Sequence, residues 1–389
     1  MENNTTSLNS TEPPTSISET KMILSAIFIC IVMLVTIIGN SLVILCVFYY
    51  PRLRGRTNYL IVSLAVADWL VGTLSLPFKL AQTVDDYWEF GETCCQFWIW
   101  VDMLCSAASI LSLMAISFDR LIAVVEPLKY EERMRPRHVY AMIAFIWCFA
   151  LICASLSLTK WKGVNVVIPE PRCSLKSKEY ITFVSIAAFF VPLAVVLVNY
   201  GIIFRIAMHH AYRLQRETRS LATNYRNEST DANHNPDTAA NGCRENKRSI
   251  FSFRKAPQKS SERSPTLSLI KQLKATKTLA IVIGVFAICW SPFFVIFLLF
   301  QYKEEAFLPP QMSHRSREIL IIIFVEVLPV ANSAANPLIY SCFNVEFRKA
   351  FKRIIAKILK RKKSWDNADT SFTAVPTSNF QRELDCSST

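Results

Sequence analysis

Seven stretches of the chain are apolar for long enough to cross a bilayer, and polar segments separate them. They fall at 22–49, 58–80, 95–124, 138–158, 180–207, 276–300 and 319–343. A helix that satisfies its own backbone needs about 20 apolar residues to cross hydrocarbon. The first run (Met22 to Tyr50) and the sixth (Thr278 to Phe300) are nearly free of charge, whereas the third is interrupted by Asp102 and ends at Asp119-Arg120. The pattern predicts an all-α membrane protein, a seven-transmembrane helix bundle. The first twenty residues are polar, and the first apolar run is too long for the h-region of a signal peptide, so none is expected. Over 345–360, Phe347, Phe351, Ile354, Ile355 and Ile358 recur among Arg348, Lys349, Lys352 and Arg353. That spacing predicts a short amphipathic eighth helix lying at the cytoplasmic interface. The polar segments 208–270 and 361–389 cannot bury enough apolar surface to order themselves and are expected to be disordered.

Charge then fixes which way the bundle faces. The loop after the first run holds Arg52, Arg54 and Arg56 without an acid, the segment 206–277 holds fourteen Lys/Arg against six Asp/Glu, and 345–363 holds nine basic residues against Glu346 alone. On the alternate side the loop around Asp85, Asp86, Glu89 and Glu92 has only Lys79 as a base, and the N-terminus carries Glu2, Glu12 and Glu19. Basic loops stay cytoplasmic, so residues 1–21 are expected outside, where Asn3, Asn4 and Asn9 stand in glycosylation sequons. The net charge of +13 and a mean hydropathy of +0.28 would each suit more than one class. Because the charge is confined to the cytoplasmic flanks, attraction to anionic lipid and topology account for it, and no nucleic-acid partner is expected. No metal spacing, Walker loop, nucleophile elbow or His-based triad occurs, and five histidines leave little for enzyme chemistry. Internal repeats of the transporter kind are not evident.

Polar groups inside spans are costly and mark function by default. Asp68 lies mid-span, with Ser109 in the third run and Asn332, Ser333 and Asn336 in the seventh. Oxygens from Asp68, Ser109 and Asn332 or Ser333 would suit a small hard cation, and interhelical hydrogen bonding is the plainer reading, favoured for Asn40. Asp102 sits among Trp98, Trp100, Val101 and Leu104, seven residues after Cys95. A lone carboxylate there is a counter-ion for a cationic ligand, and Trp290, Phe293 and Phe294 could add cation–π contacts. Pro77, Pro192, Pro292, Pro329 and Pro337 each lie inside a span, and a bundle kinked at such positions is built to move. Of the twelve cysteines, Cys94, Cys95 and Cys173 lie on the outer side, where disulfides persist.

With these residues in place the chain resembles the rhodopsin-like (class A) G-protein-coupled receptors, most closely those for biogenic amines, over roughly residues 22–360. The matching motifs are Gly39-Asn40, Leu64-Ala65-Val66-Ala67-Asp68, Trp88-Glu89-Phe90-Gly91, Cys95, Asp119-Arg120-Leu121 and Trp147. They continue with Pro192 and Tyr200, Phe286 with Cys289-Trp290-Ser291-Pro292, Asn332-Ser333, Asn336-Pro337-Leu338-Ile339-Tyr340 and Phe347-Arg348. The resemblance implies a Cys95–Cys173 bridge and a sodium pocket of Asp68, Ser109, Asn332, Ser333 and Asn336, with sodium as modulator and no other cofactor. It implies an activation switch of Phe286, Trp290, Asp119, Arg120, Tyr200, Pro337 and Tyr340. Asp102 would hold a protonated amine, with Ser185, Trp290, Phe293, Phe294 and Glu326 around it. The implied partners are a small cationic ligand, a heterotrimeric G protein, arrestin, a receptor kinase and the lipid bilayer of the plasma membrane.

Several positions depart from the amine pattern. Gln272 stands where an acid often pairs with the arginine at Arg120, implying raised basal activity. Val184, Ser185 and Ala188 hold one hydroxyl where catecholamine receptors carry several. Val327 and Val330 replace an aromatic fence, and Glu326 is an unusual second acid that reads either a second cationic group or a loop lysine. A class A receptor for a peptide or other non-amine ligand is the alternative, whereas a photoreceptor would need a lysine where Val330 stands. Arg263-Ser264-Pro265 and Thr370 to Thr377 are candidate phosphosites, and no cysteine follows the eighth helix before Cys386 to carry a palmitoyl anchor.

Overall fold

The computed structural model describes residues 16–85, 87–169, 171–231, 265–302, 313, 316 and 320–372. Seven helices within it are long and apolar enough to cross a membrane: Glu19–Tyr49, Arg56–Asp85, Gly91–Val125, Pro136–Leu158, Lys178–His209, Thr278–Leu299 and Ile322–Phe343. They are called the first to seventh spans below. The third is the most enclosed, with 72% of its apolar window buried against 17% for the first, so it forms the axis of the bundle. Ile23, Leu24, Ile27, Ile31, Leu34 and Ile38 of the first span are exposed apolar side chains, as lipid contact requires. Tight packing joins the first and seventh spans at Gly39, where a Cβ would come within 2.6 Å of the Pro337 ring.

Polar threads tie the spans together. Ser63 and Ser112 hydroxyls lie 3.3 Å apart and the Trp147 indole donates to Ser63 at 3.1 Å, linking the second, third and fourth spans. Asn40 donates to the Thr36 carbonyl and to the Ser333 carbonyl across the bundle, the structural role favoured for it above.

Three of the helices carry a π turn, at Val71–Ser75, Ser185–Phe190 and Ile322–Val327. Pro77, Pro192 and Pro329 follow these turns closely, and the residues four before them are Thr73, Ala188 and Val325. Proline has no N–H for the carbonyl four residues back and its ring crowds that carbonyl. In all three cases that carbonyl falls inside the π turn, whose longer i→i+5 pattern supplies a donor one residue further on. The kinks expected from these prolines are therefore local insertions, while Pro292 and Pro337 sit inside continuous helix.

The structure revises some boundaries. The fifth helix runs on to Asp231 and the sixth begins at Pro265, well inside the segment 208–270 read as disordered. The eighth helix spans Val345–Phe372 and enters the tail read as disordered from 361. Strong helix formers such as Ala211, Leu214, Gln215 and Glu217, and the run Lys360 to Lys363, extend a helix whose backbone bonds are internal and need no core. The first helix likewise starts at Ser16, within the segment 1–21. The second outer loop adds two small antiparallel hairpins to the all-α reading: β1 (Lys160–Trp161) with β2 (Val164–Asn165), and β3 (Val167–Ile168) with β4 (Ser174–Leu175). The first turns at Lys162 and Gly163, both with positive φ, as a two-residue hairpin loop demands. Asn3, Asn4, Asn9, Ser264 and Cys386 lie outside the described residues, and so does the side chain of Gln272.

Candidate ligand-binding site

The outer half of the bundle encloses a cavity of about 260 Å³. Its walls come from the second, third, fifth, sixth and seventh spans and from the second outer loop. The π turns supply part of the lining, namely Val71, Ser75, Ala188, Phe189 and Val325. An extra residue per turn re-aims the side chains beyond it, and here three such turns aim at one space.

Asp102 reaches this cavity from the third span. The Ser75 hydroxyl donates to its Oδ1 at 2.8 Å, and the Trp98 indole donates to Ser75 at 3.2 Å. Trp98 is itself fixed by stacking on Trp88 at 5.3 Å. The chain of bonds holds the carboxylate in one orientation and leaves Oδ2 without a protein donor among the described residues. Opposite stand Trp290, Phe293 and Phe294, packed edge-on and tilted with centroids 5.2 to 5.7 Å apart. Phe189 stacks on Phe294 at 4.2 Å and on Phe286 at 6.1 Å. A carboxylate facing an aromatic wall can take an ammonium group, the charge pairing with Asp102 and the rings adding cation–π attraction.

Other residues named from the sequence divide into three groups. Ser109, Asn332 and Ser333 border the floor of the same cavity. There Ser109 donates to Asp68 Oδ1 at 3.5 Å and Asn336 donates to Oδ2 at 2.7 Å. The set offers carboxylate, hydroxyl and amide oxygens, a donor chemistry that fits a hard cation such as sodium. Ser185 is buried without bordering the cavity, and its hydroxyl has no partner; Val184 and Ala188 border it instead. Glu326 borders a second, outer cavity together with Lys79, Gln82 and Arg172.

At the end of the third span away from this cavity Arg120 grips Asp119 through Nε and Nη2 at 3.1 and 2.7 Å. Thr57 and Tyr130 also donate to Asp119, at 2.5 and 2.7 Å. Burial pushes the Tyr130 phenol up to about 12, so it remains a donor at physiological pH. The hydroxyls of Tyr200 and Tyr340 are buried without partners. Cys95 and Cys173 are joined in a disulfide that anchors the second outer loop to the third span.

Sequence reasoning missed Ser75, Phe189 and the position of Lys79. Ser75 and Lys79 are four residues apart on one helical face, a spacing that was visible. Their direction was not, because the π turn between Val71 and Ser75 resets it.

The chain matches the family described as 7 transmembrane receptor (rhodopsin family) over residues 39–340. It is 32% identical to the alpha-1A adrenergic receptor of Oryctolagus cuniculus, over 93% of this chain and 74% of that protein. Its identity to the alpha-1A adrenergic receptor of Homo sapiens is also 32%, over the same shares of each chain. With the alpha-1D adrenergic receptor of Mus musculus it is 36% identical, over 87% of this chain and 58% of that one. Seven apolar spans around a shared cavity, with the family match running from Gly39 to Tyr340, establish a multi-pass plasma-membrane protein, and the chain belongs to the rhodopsin family of seven-transmembrane receptors.

Proposed function

We propose that the chain is a receptor for a small protonated biogenic amine held by Asp102, and that it activates a heterotrimeric G protein. The observation that carries this is Asp102 itself: a carboxylate oriented by Ser75 and Trp98, with one oxygen open to a cavity walled by Trp290, Phe293 and Phe294. The relatives named adrenergic receptors support an amine. Val184 and Ala188 in the wall, with Ser185 set back from it, favour an amine whose ring does not carry a catechol. Sodium bound by Asp68, Ser109 and Ser333, with Asn332 and Asn336 around them, would act as a modulator beneath the ligand. The N-terminus faces outward on this reading, because the basic loops mark the inner side. Arrestin and a receptor kinase would follow at the Ser/Thr-bearing inner segments.

Ligand binding shifts a two-state bundle by its differential affinity for the two forms. The test is a panel of histamine, serotonin, tyramine, octopamine and dopamine on cells expressing the chain, reading cAMP and calcium. Losing a charged hydrogen bond costs about 1.5–3 kcal/mol, so Asp102→Ala should weaken the active amine by roughly 10- to 100-fold or abolish its response. Silence across the panel, with surface expression confirmed, would favour a peptide or other non-amine ligand.

A further inference from the structure

Lys79 makes the site unlike a simple ammonium pocket. It borders the ligand cavity together with Asp102, and it also borders the outer cavity with Glu326. It lies one helical turn outward from Ser75, the residue that donates to Asp102, and Gln82 continues the same face. Lys79 and Asp102 are close enough for their charges to interact. Yet the Lys79 ammonium makes no ion pair among the described residues, with Asp102 or with Glu326. Gln82, by contrast, is committed: its Oε1 accepts the Cys173 N–H at 3.0 Å.

The charge balance follows from these positions. Asp102 and Lys79 together give the cavity no net charge. A ligand carrying only an ammonium would pair with Asp102 but be repelled by the half-buried lysine one turn above, and would leave that lysine without a counter-ion while covering it from solvent. A buried charge without a partner is costly. A ligand carrying both an ammonium and an anionic group pairs with each residue and buries no excess charge.

We infer that this receptor's ligand is a zwitterion, with its ammonium on Asp102, its carboxylate or other anionic group on Lys79, and its apolar body against Trp290 and Phe293. The inference rests on the amine reading above and narrows it to amines that also bear an acid. Lys79 is then the residue that selects such compounds over the decarboxylated amines.

The test uses matched pairs that differ by one carboxylate: tyramine and tyrosine, tryptamine and tryptophan, histamine and histidine. Each is applied to the full-length receptor, to Lys79→Gln and to Asp102→Ala, with surface expression measured throughout. The expected result is that at least one acid-bearing member is tenfold or more stronger than its partner on the wild type. Lys79→Gln then weakens that acid tenfold or more and leaves the plain amine unchanged or stronger. Plain amines active with acids silent would overturn the inference and leave the amine reading standing, with Lys79 only an internal counter-ion of Asp102. Acids that are active but indifferent to Lys79→Gln would overturn it as well. Silence of both series, or responses that survive Asp102→Ala, would overturn the amine reading and this inference together.

Discussion

The Tyr200 and Tyr340 hydroxyls are buried with no hydrogen-bond partner, each forgoing the interactions water would offer. A group in that position costs about 1–3 kcal/mol, so a rearrangement that gives both a partner is favoured by that amount for each hydroxyl. Tyr200→Phe and Tyr340→Phe should leave the ligand-free receptor as heat-stable as the wild type or more so, because the lost hydroxyls bind nothing here. On the activation-switch reading that the family resemblance implies, the same variants should lower the maximal agonist response, since the activated form would lose the bond that rewards it. Melting curves and concentration–response curves check both halves, and a stability loss in either variant would mean that the hydroxyl is already satisfied in the resting receptor. A second residue-level prediction concerns Asp68. If sodium binds there, raising sodium to about 150 mM should increase the melting temperature by mass action, with potassium as control. Asp68→Asn should remove that dependence. Equal melting in the two salts would count against the cation site and leave Asp68 as the hydrogen-bond partner of Asn336 and Ser109 alone.

At the level of elements the π turns decide what the cavity contains. From the sequence Pro77, Pro192 and Pro329 were legible as kinks, and so were the spans that hold them. The form of the kink was not legible, because a helix can answer a missing N–H by bending, by admitting a neighbour's hydroxyl or by inserting a residue, and packing selects among these. That choice separates the residues of the fifth span that line the cavity, Val184, Ala188 and Phe189, from Ser185, which does not. Replacing the proline should therefore act on the ligand and not on the fold. Pro192→Ala restores the N–H that the Ala188 carbonyl lacks and removes the reason for the turn. Relaxation to a regular α-helix would shift the residues beyond by one position, turning Ala188 and Phe189 away from the cavity and breaking the Phe189–Phe294 stack. Agonist potency should fall about tenfold or more while surface expression and melting temperature hold or improve. A variant of unchanged potency would show that packing of Phe189 against Phe294 and Phe286 maintains the turn without the proline.

Across the whole molecule, seven apolar runs give the helix count, legible because lipid leaves few alternatives to a helix, while basic loops give an orientation that remains an expectation from the sequence. Contacts between spans distant in sequence were legible only through resemblance: the Cys95–Cys173 bridge was implied that way, whereas the Ser75–Asp102 bond and the two outer hairpins were found in the structure. The bridge is where these scales meet, because it ties the outer end of the third span to a loop whose next residues, Ser174 and Leu175, wall the cavity. A second attachment runs from the Cys173 N–H to Gln82. Breaking the disulfide should therefore loosen the loop without releasing it. A disulfide of this kind contributes about 2–4 kcal/mol, mostly by restricting the unfolded chain, so Cys95→Ser/Cys173→Ser should lower the melting temperature clearly while the bundle still folds. The loop would cover the cavity for less of the time, so a radiolabelled ligand should dissociate faster, with a smaller change in its association rate. Adding Gln82→Ala to the double variant should accelerate dissociation again, because the hydrogen bond from the Cys173 position to the second span is then gone as well. If dissociation is as slow without the disulfide as with it, the hairpins and Gln82 suffice to hold the loop, and the bridge serves stability alone.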